Sequence, residues 1–162
     1  MKSVNILLGT GLISLLAGCA NTAVTVAPVG PNPFGREQVT ANGGLEVFSS
    51  LVGRTEGNNP TWYQHSGYDI YDAHGRLLQY VGNTIGRYAQ APRRVVLPAG
   101  NYRVRAHASD YLWVDVPVTI EPGRTTKIHL DDQWQGPDTV SNQALVRLPD
   151  GDPVGWQGSL AK

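Results

Sequence analysis

The chain is poor in what most cross-linked or catalytic proteins depend on. One cysteine in 162 residues excludes an internal disulfide framework and a multi-cysteine zinc centre. Charge is sparse and balanced, 13 Lys and Arg against 13 Asp and Glu, so the basic footprint of a nucleic-acid binder is missing and no nucleic-acid partner is expected. No apolar run reaches the roughly 20 residues that cross a bilayer as a helix. Nor does any window carry an apolar stripe at helical spacing, and 19 Gly with 11 Pro disfavour bundles and coiled coils. Recurrent catalytic patterns such as G-x-S-x-G and H-E-x-x-H do not occur, so neither an enzyme activity nor a cofactor is expected. A hydrophobic fraction of 41% nevertheless exceeds what a disordered chain carries. These features fit a single small domain built from turns and short strands.

The N-terminus has the sharpest signal. Lys2 precedes a mostly apolar stretch of 13 residues, 4–16, the proportions of a signal peptide. It ends in Leu16-Ala17-Gly18-Cys19, which resembles the lipobox of bacterial lipoproteins. The resemblance implies a leader over 1–18, transfer of a diacylglyceryl group to the Cys19 thiolate, cleavage before Cys19 and N-acylation. Membrane lipid is then a partner through acylated Cys19, several acyl chains giving firm anchorage where one gives little. No Asp follows Cys19, as in lipoproteins passed to the outer membrane, so the expected location is the cell envelope, lipid-anchored and facing the periplasm.

Residues 19–43 contain Pro28, Pro31 and Pro33 without sustained periodicity and read as a flexible tether; the V-T-V alternation leaves an extra edge strand over Val24 to Val29 as the other reading. From Leu45 the period becomes two. Leu45 to Ser49 reads as a strand, and Tyr68-Asp69-Ile70-Tyr71-Asp72 with Leu77-Leu78-Gln79-Tyr80-Val81 reads as a hairpin turning at Gly75. Arg94 to Leu97 and Tyr102 to Ala108 read as a further pair joined by a type II turn at Pro98-Ala99-Gly100-Asn101. Tyr102, Val104, Ala106 and Ala108 then face inward, Arg103, Arg105 and His107 outward. In the next strand Val114, Val116, Val118 and Ile120 face inward and Trp113 and Asp115 outward, with Pro117 marking an edge or a bulge. After a turn at Glu121-Pro122-Gly123-Arg124, Thr126, Ile128 and Leu130 line the core.

Seven short strands over residues 44–130 indicate an all-β fold, a seven-stranded antiparallel β-sandwich. Residues 131–162 form either a closing hairpin through Asp150-Gly151 or an irregular strap that packs Trp134 and Trp156 on the sandwich. The run Val96-Leu97-Pro98-Ala99-Gly100-Asn101-Tyr102-Arg103-Val104-Arg105-Ala106 is similar to the L-P-A-G-x-Y-x-V-x-A element of transthyretin-like (prealbumin-like) sandwiches, among them carboxypeptidase-regulatory-like and PEGA-type domains. That resemblance implies a non-catalytic accessory or adhesion module.

Asp69, Asp72 and His74 are ligand-type residues, but three positions apart along a strand the two carboxylates face opposite sides, so no metal site is expected. A hydrolase or metal enzyme built on His65, Asp69 and His74 is the least favoured reading, and the histidines His65, His107 and His129 read as exposed strand residues. The better lead is aromatic. Trp113 shares its outward phase with Arg103, Arg105 and His107, while Trp62 and Tyr63 sit in a long polar loop; together these six form the candidate surface for an envelope protein or a glycan.

Overall fold

The computed structural model of the chain describes residues 23–35, 38–58, 60–86, 90–138 and 144–158. The leader and Cys19 lie outside the described residues.

Strands dominate, and the described residues contain no α-helix. They are β1 (Val24–Thr25), β2 (Val29–Gly30), β3 (Asn42–Phe48), β4 (Leu51–Arg54), β5 (Trp62–His65), β6 (Tyr68–Asp72), β7 (Leu77–Val81), β8 (Val95–Pro98), β9 (Gly100–Ala106), β10 (Val114–Ile120), β11 (Thr125–His129), β12 (Leu145–Arg147) and β13 (Pro153–Gln157). An eight-stranded sheet runs β12-β13-β2-β10-β9-β6-β7, with β1 also on β10. A three-stranded sheet, β11-β3-β8, packs against it, and β4 with β5 forms a separate ribbon. The all-β class and the sandwich arrangement are therefore observed.

Alternation explains the core. Along β10 and β9 the register pairs Val114 with Ala106, Val116 with Val104 and Val118 with Tyr102, placing the expected inward residues on one face. Opposite them, the small sheet contributes Leu45 and Val47 from β3 and Ile128 from β11, all fully buried. The β6–β7 hairpin forms as expected, with a bulge between Ile70 and Tyr71 and Gly75 at φ +79° in the turn.

Several expectations are corrected. The sandwich has more strands than seven, and it is mixed: β1 and β2 each run parallel to β10, and β3 runs parallel to β11. The Pro98–Asn101 segment does not close a hairpin. β8 pairs with β3, whereas β9 pairs with β10 and β6, so the chain changes sheets at Ala99. A local turn signal cannot distinguish a hairpin from a crossing between layers, because both need only a sharp reversal. Nor is β10 an edge strand, since β9 lies on one flank and β1 and β2 on the other. Pro117 is tolerated because β1 pairs at Val114 and Asp115 and β2 at Val118, leaving no partner for an N–H at position 117.

Part of the segment read as a tether is consequently built into the sheet. Val29 is fully buried, and the amides of Val24 and Val26 donate to the carbonyls of Trp113 and Asp115. Three prolines do not prevent this, because the segment pairs in two short pieces separated by Val26 to Pro28. The tail resolves as a hairpin: β12 and β13 are antiparallel, and β13 pairs onward with β2. Gly155 permits this close approach, since a Cβ there would lie 2.6 Å from Cγ1 of Val29 and 2.8 Å from the Lys127 carbonyl.

Candidate functional site

A cleft of about 380 Å³ opens where the tail meets the small sheet, lined by Asn32, Thr125, Lys127, His129, Trp134, Gly136, Pro137 and Trp156. Each wall follows from the strand pattern. Thr126 and Ile128 are buried in the core, so Thr125, Lys127 and His129 occupy the outward phase of β11. The β12–β13 hairpin supplies Trp156, which is 8% exposed and takes the edge of Phe34 at 5.7 Å between centroids. Residues 131–137 run back over the sheet and bring Trp134 flat on His129, with centroids 4.5 Å apart.

Behind the cleft the rings form a column. His129 stacks on Phe48 at 4.4 Å, and Phe48 meets His65 edge-on at 5.6 Å. His65 is buried, with Nδ1 2.6 Å from the carbonyl oxygen of Ser49. Burial, with help from the Lys127 and His65 charges, pushes the His129 imidazole down from 6.5 to about 4, so it is neutral at neutral pH. The Lys127 ammonium is held 3.2 Å from Glu46. Nearby, Asp131 is 7% exposed with its Oδ1 lacking a hydrogen-bond partner, and burial raises its carboxyl above the usual range. The cleft thus offers indole surface, a neutral imidazole, a hydroxyl, an amide and one ammonium. Such a set recognises polar, uncharged or weakly anionic ligands that have one apolar face.

The six residues expected to form a surface fall into two groups. Arg103, Arg105, His107 and Trp113 do share the outer face of the large sheet. His107 and Trp113 lie 3.8 Å apart between ring centroids. The two guanidinium groups turn to the protein itself: Arg105 donates twice to Asp115, at 2.8 and 2.7 Å, and Arg103 donates once at 3.3 Å while lying over the Tyr71 ring. This face is consequently a paired network, one carboxylate shared by two guanidinium groups, with Trp113 at its margin. Trp62 and Tyr63 belong to the β4–β5 ribbon, where Trp62 lines a different, more open recess with Arg54, Gln64, Thr84, Ile85, Gly86 and Arg93.

His65, Asp69 and His74 are placed on three different elements. His65 is buried behind the ring column, Asp69 sits opposite Arg105, and His74 is exposed in the β6–β7 turn. In that turn Asp72 Oδ1 accepts from the backbone N–H of His74 and of Arg76; these bonds, the Arg76 amide foremost, lower its pKa. One group unnoticed in the sequence does gather, the carboxylates of Asp110, Asp150 and Asp152, whose oxygens lie within 4.8 Å of one another. Neither this group nor the cleft was legible locally, because their members come from segments far apart in sequence.

No protein-family model matches the chain, and no curated protein or solved structure matches it either. Fold and site geometry define the class, an all-β sandwich with an aromatic-walled cleft.

Proposed function

We propose that the chain is a lipid-anchored envelope lipoprotein whose β-sandwich acts by binding or structural support and not by catalysis. The observation that carries this reading is Leu16-Ala17-Gly18-Cys19 at the end of a short apolar leader behind Lys2, with the sole cysteine at the position that lipidation requires. Acylated Cys19 holds the protein in the membrane, and the domain faces the periplasm from the outer membrane. Growth with an alkyne-bearing fatty acid tests this. The wild-type chain takes up label and the Cys19→Ser chain does not; an unlabelled wild-type chain overturns the reading.

A second reading, glycan or peptidoglycan binding, is favoured by the Trp134–Trp156 cleft more than by the exposed rings at Trp62, Tyr63 and Trp113. Sugars present an apolar face for stacking and hydroxyls for neutral polar groups, the combination that the indoles, His129, Thr125 and Asn32 supply. Co-sedimentation with purified peptidoglycan tests it: retention lost in Trp134→Ala supports the cleft, and absence of retention in the wild type removes this reading.

A further inference from the structure

Strand β1 fixes how far the folded domain stands from residue 19. The Val24 N–H donates to the carbonyl of Trp113 at 3.1 Å, and Val24 pairs with Val114, the first residue of β10. Only five residues separate Cys19 from Val24. At roughly 3.3–3.6 Å for each extended residue they reach at most about 18 Å, whatever their conformation. The start of β1 lies beside the loop that joins β9 to β10, and that loop, 107–113, displays two adjacent apolar side chains: Leu112 is 67% exposed and Trp113 36%. The loop itself is held in place. The Ser50 N–H donates to the His107 carbonyl, the Ser109 N–H to the Leu130 carbonyl and the Ala108 N–H to the Tyr111 carbonyl. Ala108 is buried, Tyr111 packs against the core, and Trp113 leans on His107. Leu112 and Trp113 thus stand on a pinned turn, outside the core that takes in their neighbours.

We infer that Leu112 and Trp113 insert into the headgroup layer of the bilayer that holds Cys19, seating the domain on the lipid by this end of the large sheet. This rests on the reading that Cys19 is acylated. Acyl chains on Cys19 put that residue at the lipid surface, so the five residues that follow keep the start of β1, and the Trp113 carbonyl bonded to it, within about 18 Å of the headgroups. The opposite end of the sheet lies six residues further along β10, about 20 Å at roughly 3.3 Å each, and has no such tie. An indole, apolar in body with one polar N–H, suits the headgroup layer, and the neighbouring leucine adds apolar area to bury. Charge does not draw this loop to anionic lipid: it carries Asp110, whose carboxylate gathers with those of Asp150 and Asp152. The contact is therefore apolar, and a zwitterionic surface suffices for it.

A fluorophore on one introduced thiol tests this, because acylation leaves Cys19 without a free thiol. Mature Leu112→Cys and Val96→Cys chains are purified from membranes, labelled, and inserted into preformed phosphatidylcholine vesicles. Val96 is the control. It is 63% exposed and pairs with Gly44, whose N–H donates to the Arg124 carbonyl in the turn after β10, at the opposite end of the sandwich. Iodide should quench the probe at 112 less than the probe at 96, by about threefold or more, and a headgroup-labelled nitroxide lipid should quench only the probe at 112. Equal iodide access at the two positions, with Cys19 shown by mass to be acylated, overturns the inference and leaves the lipoprotein reading standing. Shielding at 112 in native membranes but not in the vesicles means that a protein covers the loop, and overturns it too. An unacylated Cys19 removes the lipoprotein reading and this inference with it.

Discussion

His129 offers the most quantitative test of how the cleft is built. Its ring is sandwiched between Phe48 and Trp134, and burial, Lys127 and His65 together lower its pKa from 6.5 to about 4. The unfolded chain therefore binds more protons at this site between those two values, and stability falls as pH drops through that window. At about 1.4 kcal/mol per unit, a shift from 6.5 to about 4 makes neutral His129 worth up to about 3 kcal/mol at pH 7, lost by pH 4. Partial exposure of the ring makes this an upper bound. Burial raises the Asp131 carboxyl, so that group works in the opposite direction in acid, and its effect cancels when two chains that both carry it are compared. His129→Phe keeps a ring between Phe48 and Trp134 but cannot titrate. Urea unfolding followed by tryptophan fluorescence at pH 7, 5.5 and 4 should show the wild type losing about 2–3 kcal/mol more than the variant. Equal losses in the two chains, or an NMR titration of His129 near 6.5, would refute the reasoning.

Other outcomes follow from the same structure. Gly155→Ala must push Val29 or the Lys127 carbonyl aside, and we expect a loss of about 1–3 kcal/mol in chemical denaturation, where Gly82→Ala, with open space around its Cβ and no positive φ, loses less. Removing Asp115, whose side chain is 9% exposed, frees two guanidinium groups that are 35% and 36% exposed. Water can take up part of their charge, so Asp115→Ala should cost about 1–2 kcal/mol and less than a fully buried pair would. Trp134→Ala removes one wall of the cleft from a surface strap, so it should reduce peptidoglycan retention at least tenfold while shifting the unfolding midpoint little. A large drop in that midpoint would mean that Trp134 is a core residue.

What was legible in the sequence was whatever a period of two encodes. Val114, Val116, Val118 and Ile120 announce one face of a strand by themselves, and all four are buried. Gly75 and Asp150-Gly151 announce their turns, because local backbone geometry needs those residues. Pairing partners were not legible. Nothing within Pro98-Ala99-Gly100 tells whether the next strand returns beside β8 or crosses to the other sheet, and the parallel seating of Val29 beside Val118 depends on a partner some 90 positions away. The cleft was hidden for the same reason: His129 shows its outward phase in the strand pattern, but Trp134 and Trp156 reach it only through the paths of the strap and of the β12–β13 hairpin. The outer face of the large sheet was legible as a set, Arg103, Arg105, His107 and Trp113, whereas the sharing of Asp115 between the two guanidinium groups required the register of β9 on β10.

The most direct test of the central claim is the mass of the mature N-terminus. Peptide mass spectrometry of the protein purified from membranes should find Cys19 as the first residue, carrying a thioether-linked diacylglyceryl group and an amide-linked acyl chain. A mature chain that begins elsewhere, or that retains Cys19 as a free thiol, would contradict it.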